Sequence, residues 1–140
     1  MPFWRLYYPA VWATKNRESV IDDAMIPPIT QVIEQTTRDL GVTIFAIGVM
    51  TDHVHVFAQI PPSLEGAAII GRWKGASSHA ANEHRPHTVT RLNWQSGYGV
   101  LSVSQSGFDQ VQAYVQNQRE RHARQELYGV LERIDEDSGG

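Results

Sequence analysis

A chain of 140 residues with 41% apolar side chains is long enough to bury one core and too apolar to be disordered throughout. It has no cysteine, which excludes disulfides, thiolate metal sites and cysteine nucleophiles. The net charge of −3 counts against a polyanion ligand overall, but the last nine residues carry that whole excess (Glu132, Asp135, Glu136 and Asp137 against Arg133), which leaves residues 1–131 neutral.

In chain order, residues 3–13 are aromatic and apolar and read as a first strand, with Pro9 implying an edge position or a bulge. A polar stretch, 14–18, follows. Residues 21–40 read as a helix on the spacing of Ile26, Ile29, Val32 and Ile33, with Pro27-Pro28 near its first turn and Gly41 placed to end it. Residues 42–50 form a buried strand, Thr51-Asp52 a turn, and 53–60 the alternating partner strand of a hairpin. Pro61-Pro62 ends that strand. Residues 63–83 are helical in pattern with Ser63 as N-cap, and 84–93 form a polar loop. A fourth strand falls within 94–104. Ser106-Gly107-Phe108-Asp109 has the form of a capping box and opens a long helix to Leu131, before an acidic, flexible tail over 132–140.

The order β-α-β-β-α-β-α predicts an α+β fold, a ferredoxin-like sandwich with an antiparallel sheet, two helices on one face and an extra C-terminal helix. One domain spans 1–131. No apolar run reaches the length of a membrane span and Met1-Pro2-Phe3-Trp4-Arg5 lacks a signal-peptide pattern, so a cytoplasmic protein without membrane contact is expected.

Two motifs carry chemistry. In Asp52-His53-Val54-His55-Val56 the two histidines stand at i and i+2 of a strand, so both imidazoles face one side, roughly 6–7 Å apart along the chain. Neutral imidazoles placed this way can ligate a divalent ion. In Tyr114-Val115-Gln116-Asn117-Gln118 the phenol and the amide of Gln118 stand at i and i+4 of a helix, about 40° apart in azimuth. Two histidines and an amide oxygen leave open positions on a metal for a phosphate oxygen, and a tyrosine beside them can attack that phosphorus covalently. A structural zinc site would want four His or Cys ligands, and there is no cysteine.

These motifs, with Tyr7-Tyr8-Pro9-Ala10-Val11-Trp12-Ala13-Thr14-Lys15-Asn16-Arg17, Trp73-Lys74-Gly75-Ala76-Ser77-Ser78 and Trp94-Gln95-Ser96-Gly97-Tyr98-Gly99, give the chain five ordered stretches. In them it resembles the single-tyrosine HUH transposases of small insertion sequences and the REP-associated tyrosine transposases, over roughly residues 3–122. The resemblance implies His53, His55 and Gln118 as ligands of magnesium or manganese, and Tyr114 as a nucleophile that cuts single-stranded DNA at hairpin-bearing ends. The products would be a 5′-phosphotyrosine and a free 3′-OH. It also implies a homodimer in which Tyr114 acts in trans. Imidazole ligands favour manganese over magnesium. Pro9 and Thr51 depart from the family pattern, which usually has histidine and proline there.

Lys15, Arg17, Arg72, Lys74 and Arg119 are candidates for DNA contact, and Arg72, Lys74, Arg119, Arg121 and Arg124 are expected near the site. Trp73 can stack on bases or fill the core; Tyr8, Trp94 and Tyr98 read more readily as core, and His79, His84 and His87 as surface. His122 is a candidate for a fourth ligand or a proton acceptor. Two other readings compete: a replication-initiator-type HUH nuclease, disfavoured by the short chain, and a non-catalytic module, either a transposase-derived DNA-hairpin binder or a small-molecule sensor.

Overall fold

The computed structural model describes residues 7–83, 91–100, 103 and 105–117. Four strands form one antiparallel sheet: β1 (Tyr7–Ala13), β2 (Thr43–Val49), β3 (His53–Gln59) and β4 (Gly99–Val100), in the order β2-β3-β1-β4. The helices are α1 (Ile26–Thr37), α2 (Gly66–Glu83) and α3 (Phe108–Gln116). This is the expected ferredoxin-like arrangement. The hairpin β2–β3 and the two strand–helix–strand crossovers place β1 and β3 at the centre, where they pair from Tyr7↔Gln59 to Ala13↔His53.

Alternation along β3 sorts the core into two layers. Val54, Val56 and Ala58 face α1 and α2 and join a cluster with Trp12, Ile29, Ile33, Ile70 and Trp73. Phe57 faces the other way and joins Ala46, Val111, Tyr114 and Val115 under α3. The extra helix therefore covers the sheet face that α1 and α2 leave open. Within the first layer Trp73 is fully buried, stacks on Trp12 at 6.3 Å and donates from Nε1 to Thr37 Oγ1 at 3.0 Å. Its surroundings answer the two readings of this residue in favour of the core.

A bulge in β2 between Ile44 and Ala46 breaks the alternation and turns both Phe45 and Ala46 toward α3. Phe45 then meets Phe57, Phe108 and Tyr7 at ring-centroid distances of 4.7–5.8 Å. Its carbonyl accepts a hydrogen bond from Gln112 Nε2 at 3.2 Å, which ties α3 to the sheet.

Several local expectations shift. β1 is central, so Pro9 is not on an edge. The Tyr7 carbonyl accepts from the Val103 N–H at 2.9 Å, so by strand alternation Pro9 also turns toward β4, where pairing is short, and its missing donor costs the β3 ladder nothing. Gly41 does end the first helical segment, at φ 81° after a 3₁₀ turn Arg38–Leu40. Ser63 does not cap α2. The chain first makes a turn in which Leu64 N–H reaches the Pro61 carbonyl, and the Glu65 carbonyl accepts from Ile69 as the helix begins. Ser106 is not the N-cap of α3 either, because a 3₁₀ turn Gln105–Gly107 takes it up and Gly107 stands at the cap. Within the described residues α3 runs to Gln116, and Asn117 leaves helical backbone at φ −115° and ψ 23°. The acidic tail and the rest of the expected long C-terminal helix lie outside the described residues. Among the described residues no helix is long and apolar enough to cross a membrane.

Candidate active site

The turn that opens β3 is pinned on three sides. Met50 N–H donates to the His53 carbonyl at 2.8 Å, Thr14 N–H to the Asp52 carbonyl at 2.8 Å, and Ile21 N–H to the Thr51 carbonyl at 3.0 Å. The end of β1 thereby fixes where the first histidine starts. His53 and His55 lie on the α3 side of the central strand with ring centroids 5.0 Å apart, as the i, i+2 spacing predicts. Both are buried, at 7% and 2% exposed.

α3 brings the phenol to them. Tyr114 is 3% exposed, and its ring centroid lies 5.7 Å from that of His55 within the same chain. The apolar neighbours Val111 and Val115 anchor the helix, so burying them sets the position of Tyr114. In this conformation α3 packs over the imidazoles.

Burial holds the His55 imidazolium form well below its usual range, helped by the charges of His53 and Arg17. A neutral ring keeps a nitrogen lone pair, which is what a metal ligand needs. Among the described residues no three His, Cys, Asp or Glu side chains converge into a set that could hold a metal by themselves. Gln118, the amide expected to be a third donor, lies outside the described residues, as do Arg119, Arg121, His122 and Arg124.

The basic residues divide. Arg17 reaches the site: its Nε lies 3.4 Å from Asp52 Oδ2, and Asp52 Oδ1 lies 2.6 Å from His53 Nδ1. That hydrogen bond from His53, aided by the cations nearby and opposed by burial, holds the Asp52 carboxyl below its ordinary value. Arg17 gets there through two consecutive left-handed residues, Asn16 at φ 57° and Arg17 at φ 55°, a backbone that costs on the order of 1–3 kcal/mol per residue. Lys15 lines a polar hollow with Asn16, Arg91 and Asn93 beside the same turn. Arg72 and Lys74 are elsewhere, because α2 packs on the opposite face of the sheet from the histidines. Lys74 Nζ donates to the carbonyls of Gln95 and Gly97, both at 3.0 Å, and burial lowers its pKa. It clasps the 94–97 loop, and Trp94 Nε1 returns a bond to the Lys74 carbonyl at 2.8 Å. His79 is at the surface beside Glu83, as expected, whereas His84 and His87 lie outside the described residues.

In the sequence Asp52 reads only as a turn residue, and Arg91 lies in a polar stretch with no motif to mark it. Adjacent strand positions point to opposite faces, so spacing alone argues against an Asp52–His53 contact; the pinned turn creates it.

The whole constellation, from β1 to the end of α3, falls inside one family match: residues 2–118 fit the model of the IS200-like transposases. The chain belongs to this transposase family. It is similar to the ISDra2 transposase TnpA of Deinococcus radiodurans, 24% identical over 122 residues that cover 84% of this chain and 87% of the relative. Among solved structures, a Deinococcus radiodurans R1 protein assigned as a transposase superposes with a TM-score of 0.67 at 28% identity, covering 84% of this transposase and 93% of that chain. A REP-associated tyrosine transposase bound to a REP hairpin superposes with a TM-score of 0.65 at 15% identity, covering 96% and 90%, and shares the fold.

Proposed function

We propose that this transposase cleaves and rejoins single-stranded DNA at hairpin-bearing ends, with Tyr114 as nucleophile and a divalent metal held by His53, His55 and Gln118. The observation that carries the reading is the contact between Tyr114 and His55 inside an IS200-like chain. The REP hairpin on a neighbour of the same fold supports hairpin DNA as the ligand class.

The donor set fits such an ion. His55 is kept neutral by burial, His53 is steadied by a carboxylate, and an amide oxygen would complete a mixed N/O set that suits manganese better than magnesium. Bound there, the ion would polarise a non-bridging phosphate oxygen and make the phosphorus more electrophilic. The Tyr114 oxygen attacks phosphorus, the bond to the 3′ oxygen breaks, and that oxygen takes up the proton the phenol gives up, so a 5′-phosphotyrosine and a 3′-OH result. The 3′-OH of another end reverses the reaction. Lys15 and Arg91, on the rim beside the Asp52 turn, meet the DNA backbone. Because Tyr114 and both histidines are nearly covered, α3 has to lift for the strand to enter.

The test is incubation with a single-stranded hairpin oligonucleotide and manganese, read on a denaturing gel. A protein–DNA adduct that disappears in Tyr114→Phe supports the reading; no adduct, or one that persists in that variant, overturns it. Hairpin binding without cleavage under any divalent ion would instead make the chain a non-catalytic hairpin binder. The homodimer with Tyr114 acting in trans belongs to the same proposal. Mixing Tyr114→Phe and His55→Ala chains restores cleavage if the tyrosine serves the other chain, and leaves it absent if the contact within one chain is the working one.

A further inference from the structure

We propose that Asp52 is a positioning residue of this site: held by Arg17, its carboxylate orients the ring of His53 so that Nε2 carries the lone pair directed at the ligand. The inference rests on the metal-site reading above and assigns Asp52 and Arg17 a task in it.

Three observations converge on it. The Asp52 backbone is fixed by the Thr14 N–H, which donates to its carbonyl at 2.8 Å and sets where the side chain starts. Its Oδ1 lies 2.6 Å from His53 Nδ1 and its Oδ2 lies 3.4 Å from Arg17 Nε, so each carboxylate oxygen has its own partner. An ionised carboxylate can only accept, so the proton sits on Nδ1 and the neutral ring carries its lone pair on Nε2. A histidine without such a partner exchanges tautomers and rotates its ring.

Stability does not account for the arrangement. The side chains of Arg17 and Asp52 are 36% and 23% exposed, and ion pairs in contact with solvent contribute little. Yet the chain adopts two successive left-handed residues, Asn16 and Arg17, to deliver that guanidinium. Strained backbone of this kind persists where a site requires it. A carboxylate that fixes a ligating imidazole is a recurrent outer-shell device, and its loss typically weakens metal binding about 10–100-fold.

The experiment uses the full chain, labelled with ¹⁵N and free of metal, at a pH where the ring is neutral. Long-range ¹H–¹⁵N correlation reads the His53 tautomer in wild type, Asp52→Asn and Asp52→Ala. The expected result is the Nδ1–H form in wild type, its retention in Asp52→Asn (whose amide oxygen can still accept), and a mixture in Asp52→Ala. Titration with Mn²⁺ followed by electron paramagnetic resonance should show about 10–100-fold weaker binding in Asp52→Ala and a smaller loss in Arg17→Ala, with thermal melts confirming that each variant is folded. An unchanged tautomer and unchanged Mn²⁺ affinity in folded Asp52→Ala would overturn the proposal. If the tautomer follows residue 52 while wild type binds no Mn²⁺, the orienting role stands and the metal reading falls.

Discussion

The ring of Tyr114 lies 5.7 Å from that of His55, tilted by 55°, and the two belong to one chain. Helix α3 and a central strand thus bring a phenol and an imidazole to one buried point on the sheet face that also carries Phe45, Phe57 and Phe108.

Tyr114→Phe separates chemistry from packing. The ring keeps its place beside Val111 and Val115, so the stability loss should stay near that of one hydrogen bond, about 0.5–1.5 kcal/mol. The covalent DNA adduct should vanish altogether. Chemical denaturation and a denaturing gel on the same preparation check both halves. A substantial adduct in the variant would remove Tyr114 from its role.

His55 should make the fold acid-sensitive. Its folded pKa lies well below the ordinary imidazole value of 6.5, so below that value the unfolded chain takes up a proton the folded chain refuses. Stability from this group is therefore fully present above the ordinary value of 6.5 and is lost progressively as the pH falls below it. The Asp52 carboxyl, depressed from 3.8, adds a second loss only at lower pH. Melts across this range should show the first decline in wild type and a flatter profile in His55→Gln. Equal slopes in the two proteins would remove His55 as the cause.

Thr37→Val tests the layer away from the site. It would leave the fully buried Trp73 indole N–H without its acceptor at 3.0 Å, a loss of about 1–3 kcal/mol. Thr37→Ser keeps the hydroxyl and should lose less. Urea unfolding of the pair decides, and Thr37→Val as stable as Thr37→Ser would show that the bond contributes nothing.

Lys74→Met should act on structure before it acts on DNA. Two charge-assisted bonds to the 95–97 carbonyls are lost, and with solvent screening about 1–2 kcal/mol of stability goes with them. Amide exchange in residues 94–97 should quicken while Mn²⁺ affinity stays unchanged. Arg91→Ala, beside the histidine turn, should do the reverse: little change in stability and weaker, less salt-dependent binding of a hairpin oligonucleotide, measured by fluorescence anisotropy.

What local pattern determines was readable from the residues alone. Alternation over 53–59 placed both imidazoles on one face and the valines on the other, because a strand has a period of two whatever it packs against. The element order then implied the ferredoxin-like sheet, since few topologies satisfy two strand–helix–strand crossovers and a hairpin. Tertiary structure decided the rest. Pro9 could sit in a central strand only because its imide turns toward the short β4 pairing, a matter of register between segments far apart in sequence. The bulge at Phe45 moved that ring to the α3 side, against simple alternation. Lys74 became a loop clasp once α2 was laid on the far face of the sheet. Asp52 meets His53, and Arg17 meets Asp52, only where the end of β1 pins the turn. The sequence alone therefore determined which groups could ligate and attack, because side-chain chemistry and strand periodicity are local. Which groups meet, and which side chain holds another in place, was decided by pairing and burial across the whole chain.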